Sequence, residues 1–158
     1  MSPQSHYRID LPAAMWSENL RLLTITTSSA KALRNHVERF ARYFLREMGF
    51  SGIQFEAAET PQSEGFVPYK AYLFAVKGRY IGAGCFRYRI DQDASVPWLF
   101  DFLWLHPYFR HRGYLTRVWP ELLKEFDTFG NAQPFRLAQP LSLPMQNFLC
   151  KTGWKETR

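Results

Sequence analysis

Pro97–Leu105 (PWLFDFLWL) and the ten residues behind it, His106–Leu115 (HPYFRHRGYL), decide how this chain is read. The first run carries one charge, Asp101, and is apolar on both faces of an extended chain, as a central strand covered on both sides requires. From Gly113 to Phe129, the residues Leu115, Val118, Trp119, Leu122, Leu123 and Phe126 share one side, so an amphipathic helix follows almost at once. Pro120 inside it removes a hydrogen bond and predicts a kink. A strand that feeds directly into a helix leaves unpaired N–H groups at the helix start. The aligned peptide dipoles add partial positive charge there. Arg110 and Arg112 contribute two full charges, Gly113 lets the backbone approach a ligand, and Thr116 supplies a hydroxyl. Together these features suit a phosphate or diphosphate.

Upstream, Asn19–Thr27 alternates and is rich in Leu, Ile and Thr, which predicts a strand. Ser28 and Ser29 are suited to cap the helix that follows. Over Ala30–Met48, Leu33, Val37, Phe40, Ala41, Phe44 and Met48 recur at helical spacing, and Gly49 ends the run. Lys31, Arg34, Arg39, Arg42 and Arg46 lie opposite, interrupted by Glu38 and Glu47, which fits a solvated face better than a nucleic-acid stripe. Gly52–Ala58 reads as a short strand and Glu59–Pro68 as a loop. Tyr69–Val76 and Tyr80–Ile90 flank a Lys77-Gly78 turn and predict a β-hairpin, with a second turn at Asp91–Ser95 before the central strand. Phe135–Leu141 reads as a last strand and Pro144–Thr152 as a short helix ended by Gly153. The order is a mixed sheet with helices against it, an α/β single domain over residues 1–158 with an irregular lead-in at 1–16.

Composition narrows the classes. The 158 residues are 46% hydrophobic, 22% charged and 17% aromatic, the profile of a globular domain with a ring-rich core. No apolar run reaches the roughly 20 residues of a membrane span. The N-terminus lacks the order of a signal peptide, which sets the expectation of a cytoplasmic protein. Two cysteines, Cys85 and Cys150, and four scattered histidines make neither a disulfide framework nor metal-ligand spacing. A net charge of +6 fits an anionic partner, whether nucleic acid or phosphorylated small molecule.

Arg110-His111-Arg112-Gly113-Tyr114-Leu115, preceded by Leu105-His106-Pro107, resembles the signature of the GNAT superfamily of acyl-CoA-dependent N-acyltransferases. That signature is [Q/R]-x-x-G-x-[G/A] after an aliphatic residue, any residue and Pro; here Leu115 stands where Gly or Ala is usual. Phe148–Trp154 is similar to the family's last helix, which ends in Gly plus an aromatic residue. The resemblance runs from about Arg21 to Trp154. It implies a mostly antiparallel sheet splayed around a CoA cleft, with helices on both faces. It implies acetyl-CoA or another acyl-CoA as co-substrate, its diphosphate held by the amides of Arg112–Leu115 with the Arg110 and Arg112 side chains. His111 and Thr116 border that site, and the main chain of Leu103–Leu105 would bind the pantetheine arm. Gln146 and Asn147 are further polar contacts for CoA, and no metal is implied.

The implied reaction is direct attack of a primary amine in a ternary complex. It needs a base for the amine and a proton for the leaving thiolate. Many members of the family use an acidic residue as general base where Asp101 lies. Asp101 shares strand parity with Leu99, Leu103 and Leu105. Its alternative role is to pair with an Arg or Tyr and brace the sheet. The family's usual acid, a Tyr four residues before the terminal Gly, is Leu149 here; Tyr114 or Tyr108 near the loop could donate instead, while Cys150 reads rather as a small buried residue and His106 and His111 as phosphate contacts or surface residues. Glu56, Glu59 and Glu64 suit a cationic amine, whereas Arg87 and Arg89 suit an acidic one, so the acceptor stays open. A non-catalytic acyl-CoA sensor or scaffold is an alternative, as is an enzyme of the same fold acting on a protein amine or aminoacyl-tRNA. A plain nucleic-acid-binding domain is disfavoured, because the aromatics sit at core spacing; homodimerisation is left open.

Overall fold

The computed structural model describes residues 9–49, 55–88, 98–125, 136–137 and 143–152. Strands β1 (Arg21–Ile25), β2 (Tyr69–Val76), β3 (Arg79–Tyr88), β4 (Trp98–Leu105) and the two-residue β5 (Arg136–Leu137) form one sheet in sequence order. The first four are antiparallel, and β5 runs parallel to β4. Helix α1 (Lys31–Met48) covers one face; α2 (Tyr114–Lys124) and α3 (Leu143–Thr152) cover the other. The class is mixed α/β, as the periodicities predict.

Each face has its own core. Val37, Phe40, Ala41, Tyr43 and Phe44 of α1 meet Ala71, Leu73, Phe102 and Trp104 on one side. Val118, Trp119 and Leu122 of α2, with Met145 and Leu149 of α3, meet Tyr72, Phe74, Phe86, Phe100 and Leu105 on the other. β4 thus feeds both cores, which is why its sequence is apolar on both faces apart from Asp101. Gly49 ends α1 in the left-handed conformation (φ 71°), with its N–H bonded to the Leu45 carbonyl. Lys77 (φ 49°) and Gly78 (φ 80°) both take positive φ, as the twisted two-residue hairpin turn demands. α2 is continuous through Pro120. No helix among the described residues is long and apolar enough to cross a membrane.

Three expectations are corrected. Ser28 and Ser29 do not cap α1, whose N-cap is Ala30 without a side-chain bond. The serines close the preceding turn instead: Ser29 Oγ accepts the Thr26 amide at 2.9 Å, and the Thr26 and Ser28 hydroxyls bond at 2.8 Å. Residues 52–54 lie outside the described set, and Phe55–Ala58 is not a strand. Buried Phe55 and Ala57 dock on the α1 side, where Glu38 accepts the Ala57 N–H (3.1 Å) and Arg34 donates to its carbonyl (2.5 Å). Side chains assigned to a solvated helix face thus take the main-chain bonds that a sheet would have supplied. Third, β4 does not alternate unbroken. Cys85 pairs with Phe102 and Phe86 with Phe100, so Asp101 is the extra residue of a β-bulge. Leu103 and Leu105 therefore pack on the α2–α3 side, while Asp101 reaches Arg87, beside Tyr69 of the α1-side core.

The lead-in is irregular but attached. Ala14 donates to the Gly78 carbonyl and Tyr80 to that of Pro12, both at 2.9 Å, while Ile9 and Leu11 pack on the core. The turn at 91–95, Arg89, Phe126–Phe129, most of the strand predicted at 135–141, and Gly153–Trp154 lie outside the described residues.

Candidate functional site

The site is built at the end of β4. On its inner edge β3 comes so close that a Cβ at Gly82 would lie 2.2 Å from the Trp104 carbonyl oxygen, so only glycine fits there. The His106 amide donates to Ile81 O at 2.8 Å. Antiparallel alternation then turns the main-chain groups of Leu105 and Leu103 away from β3, toward the outer edge. Among the described residues β5 covers that edge only at Leu99 and Phe100, leaving Leu103 and Leu105 beyond it.

The chain leaves the strand in a single 3-10 turn, Pro107–Phe109. His106 caps it, with Nδ1 accepting the Tyr108 amide at 3.1 Å. This bond requires an imidazole unprotonated at Nδ1. Burial, and secondarily the Arg110 charge, lowers the His106 pKa and favours that form. His111 (φ 62°) and Gly113 (φ 79°) then adopt left-handed conformations that turn the chain into α2. No side chain caps this helix start, so the amides of Tyr114, Leu115 and Thr116 keep their hydrogen-bonding capacity.

These amides face a cleft of about 500 Å³, within the range of small-molecule sites. Its walls are Phe44, Glu47 and Met48 of α1, Leu103–Leu105 of β4, the loop residues Phe109–His111, the α2 start Gly113–Thr116, and Met145, Asn147, Phe148 and Lys151 of α3. Among the residues singled out from sequence, Leu103, Leu105, Arg110, His111, Gly113, Tyr114, Leu115, Thr116 and Asn147 meet here. Arg112, Gln146 and Asp101 are not in the lining.

The two loop arginines are engaged differently. Arg112 folds back, donating from Nε to the Tyr108 carbonyl at 2.6 Å with its guanidinium carbon 4.3 Å from the Tyr108 ring centre. Arg110 stays in the cleft wall, donating from Nε to the Leu105 carbonyl (2.8 Å) and from Nη2 to Glu47 Oε1 (2.7 Å). Asp101 sits in a separate cluster. Its Oδ2 accepts from Arg87 Nε at 3.3 Å, and Glu59 lies 3.8 Å from Arg87 Nη1. Tyr69 lines this group, its hydroxyl buried without a hydrogen-bond partner among the described residues and its pKa pushed up by burial. Glu56 and Glu64 are exposed.

Leu149, in the place of the family's Tyr, is buried in the α2–α3 core. Next to it Cys150 is exposed, whereas Cys85 is wholly buried and its thiol pKa is pushed up by desolvation. Sequence reasoning missed Glu47 and Lys151. Glu47 lies three residues after Phe44, at the border of the apolar stripe of α1, and Lys151 lies four after Asn147 on one face of α3; both spacings were there to be read. Comparison with known families finds no matching family model, and comparison with curated proteins finds no match.

Proposed function

We propose that the chain is a GNAT-like acyltransferase that moves an acetyl or other short acyl group from acyl-CoA to a primary amine. The observation that carries this reading is the uncapped start of α2 opening into a cleft beside the outward main chain of Leu103 and Leu105. An anionic head finds amides and the positive dipole end at Tyr114–Thr116. An amide-bearing arm finds next to it the part of the β4 edge that no strand among the described residues covers, where it can pair as an extra strand would. His111 and Asn147 border the head, and Phe44, Met48, Met145 and Phe148 exclude water from the rest.

In the reaction the amine nitrogen bonds the acyl carbon as the C–S bond breaks; the amine gives up one proton and the thiolate takes one. Asp101 is the proposed acceptor of the amine's proton, directly or through water. The Arg87 guanidinium lies beside it, with Nε 3.3 Å from the Asp101 Oδ2. Tyr114, in the cleft wall, is the proposed donor to the thiolate. The acceptor amine remains to be identified, and we place the protein in the cytoplasm on the same footing.

One observation favours a second reading, a non-catalytic acyl-CoA-binding module: Asp101 lies outside the cleft lining and in an ion pair, and Leu149 offers no proton. Thermal unfolding with and without acetyl-CoA, followed by thiol release with a panel of amines, separates the two. Stabilisation with turnover supports the enzyme, stabilisation without turnover the binding module, and no stabilisation refutes both.

A further inference from the structure

Arg110 is held at three points. Besides its bonds to the Leu105 carbonyl and Glu47, its guanidinium carbon lies 5.7 Å from the Trp104 ring centre. A guanidinium is rigid and planar, so two filled N–H directions and a stacked face fix the whole head. Glu47 belongs to the last turn of α1, and Leu105 is the last residue of β4. The pair therefore fastens the end of that helix to the end of that strand, and both partners line the cleft between them. To turn its Nε–Nη2 edge toward a ligand's phosphate, Arg110 would have to abandon a partly buried carboxylate and a strand-end carbonyl, exchanging two charge-assisted bonds for new ones.

We infer that Glu47 and Arg110 are positioning residues of the cleft. They set the separation of α1 from β4 and the direction of the Leu105 carbonyl, and Arg110 is not a ligand of the diphosphate. The inference rests on the acyl-CoA reading of the site and changes the role which sequence alone assigns to Arg110. It also leaves Lys151 as a lining cation with no ion-pair partner among the described residues. The anion's electrostatic contacts then come from the α2 start and Lys151.

Calorimetric titration of CoA, and of pantetheine as the same arm without phosphates, tests this at several salt concentrations. Glu47→Gln and Arg110→Gln are expected to weaken both ligands by a similar factor, about fivefold for loss of one partly exposed ion pair, with the salt dependence unchanged. Lys151→Ala should weaken CoA alone and flatten its salt dependence. The inference is overturned if Arg110→Gln weakens CoA selectively with a flattened salt dependence, or if Glu47→Gln tightens CoA by releasing the guanidinium. Hydrogen exchange on the ligand-free protein provides an independent arm. In Glu47→Gln, amides at 46–49 and at 105–109 should exchange faster together; unchanged exchange at either end overturns the inference. Failure of the wild-type chain to bind CoA would refute the acyl-CoA reading, and the exchange result would still decide the positioning role.

Discussion

Arg87 and Arg110 are built alike and surrounded differently. Each guanidinium lies over an aromatic ring, Tyr69 at 5.8 Å and Trp104 at 5.7 Å, and each of those rings carries a buried polar atom without a partner among the described residues. Arg87, with its side chain 12% exposed, stands between two carboxylates in the body of the sheet. Arg110, 23% exposed, holds one carboxylate at the rim of an open cleft. The same side chain pairs with a bulged residue in one place and lines a cleft in the other. Residue type does not decide between these roles; what does is the place of the carbonyl each one holds, Val67 at 3.4 Å in the loop before β2 for Arg87 and Leu105 at 2.8 Å at the cleft end of β4 for Arg110.

The largest effect that would sharpen this contrast concerns Asp101, the bulged residue on Arg87. If it is the base, Asp101→Asn reduces turnover about 100-fold while CoA affinity stays nearly unchanged, since the side chain is outside the cleft lining. Unchanged turnover would reduce the cluster to a brace. Next, Arg87→Ala removes the ion pairs to both Asp101 and Glu59, and should cost about 2 kcal/mol in urea unfolding. Arg110→Ala, at the more exposed rim, should cost about 1 kcal/mol. An equal or reversed ranking would break the comparison.

Much of this was legible beforehand, for local reasons. The doubly apolar run at β4, the Lys77-Gly78 turn and the Gly49 stop are dictated by side-chain period and backbone freedom within a few residues. The turn from β4 into α2 was legible for the same reason, since His106–Thr116 is one continuous segment. What escaped reading depends on residues far apart in the chain. Glu47 and Arg110 are 63 positions apart, and no spacing rule connects them. The bulge at Asp101 arises because β3 and β4 fall out of step between Cys85 and Phe86, which only the pairing reveals. Gly52–Ala58 reads as a short strand, but two α1 side chains take the main-chain groups of Ala57.

The smallest expected effect lies in pH. The His106 pKa is lowered from its ordinary 6.5, so the unfolded chain takes up a proton more readily than the folded one. Its contribution to stability is complete above about 6.5 and fades as pH falls through the folded value. The cleft end of the molecule should loosen on acidification, because a protonated Nδ1 no longer accepts the Tyr108 amide. His106→Asn retains an acceptor at that cap without titrating there. Thermal melts of this variant should show a flatter pH dependence below 6.5 than wild type; an identical profile would remove His106 from the loop's control.

The two cysteines make the native chain its own instrument. Cys85 is sealed in the core with a thiol held protonated, whereas Cys150 is exposed one residue before Lys151 in the cleft wall. A maleimide dye should therefore attach at a single place without any engineering, close enough to the opening for its emission to report when something enters.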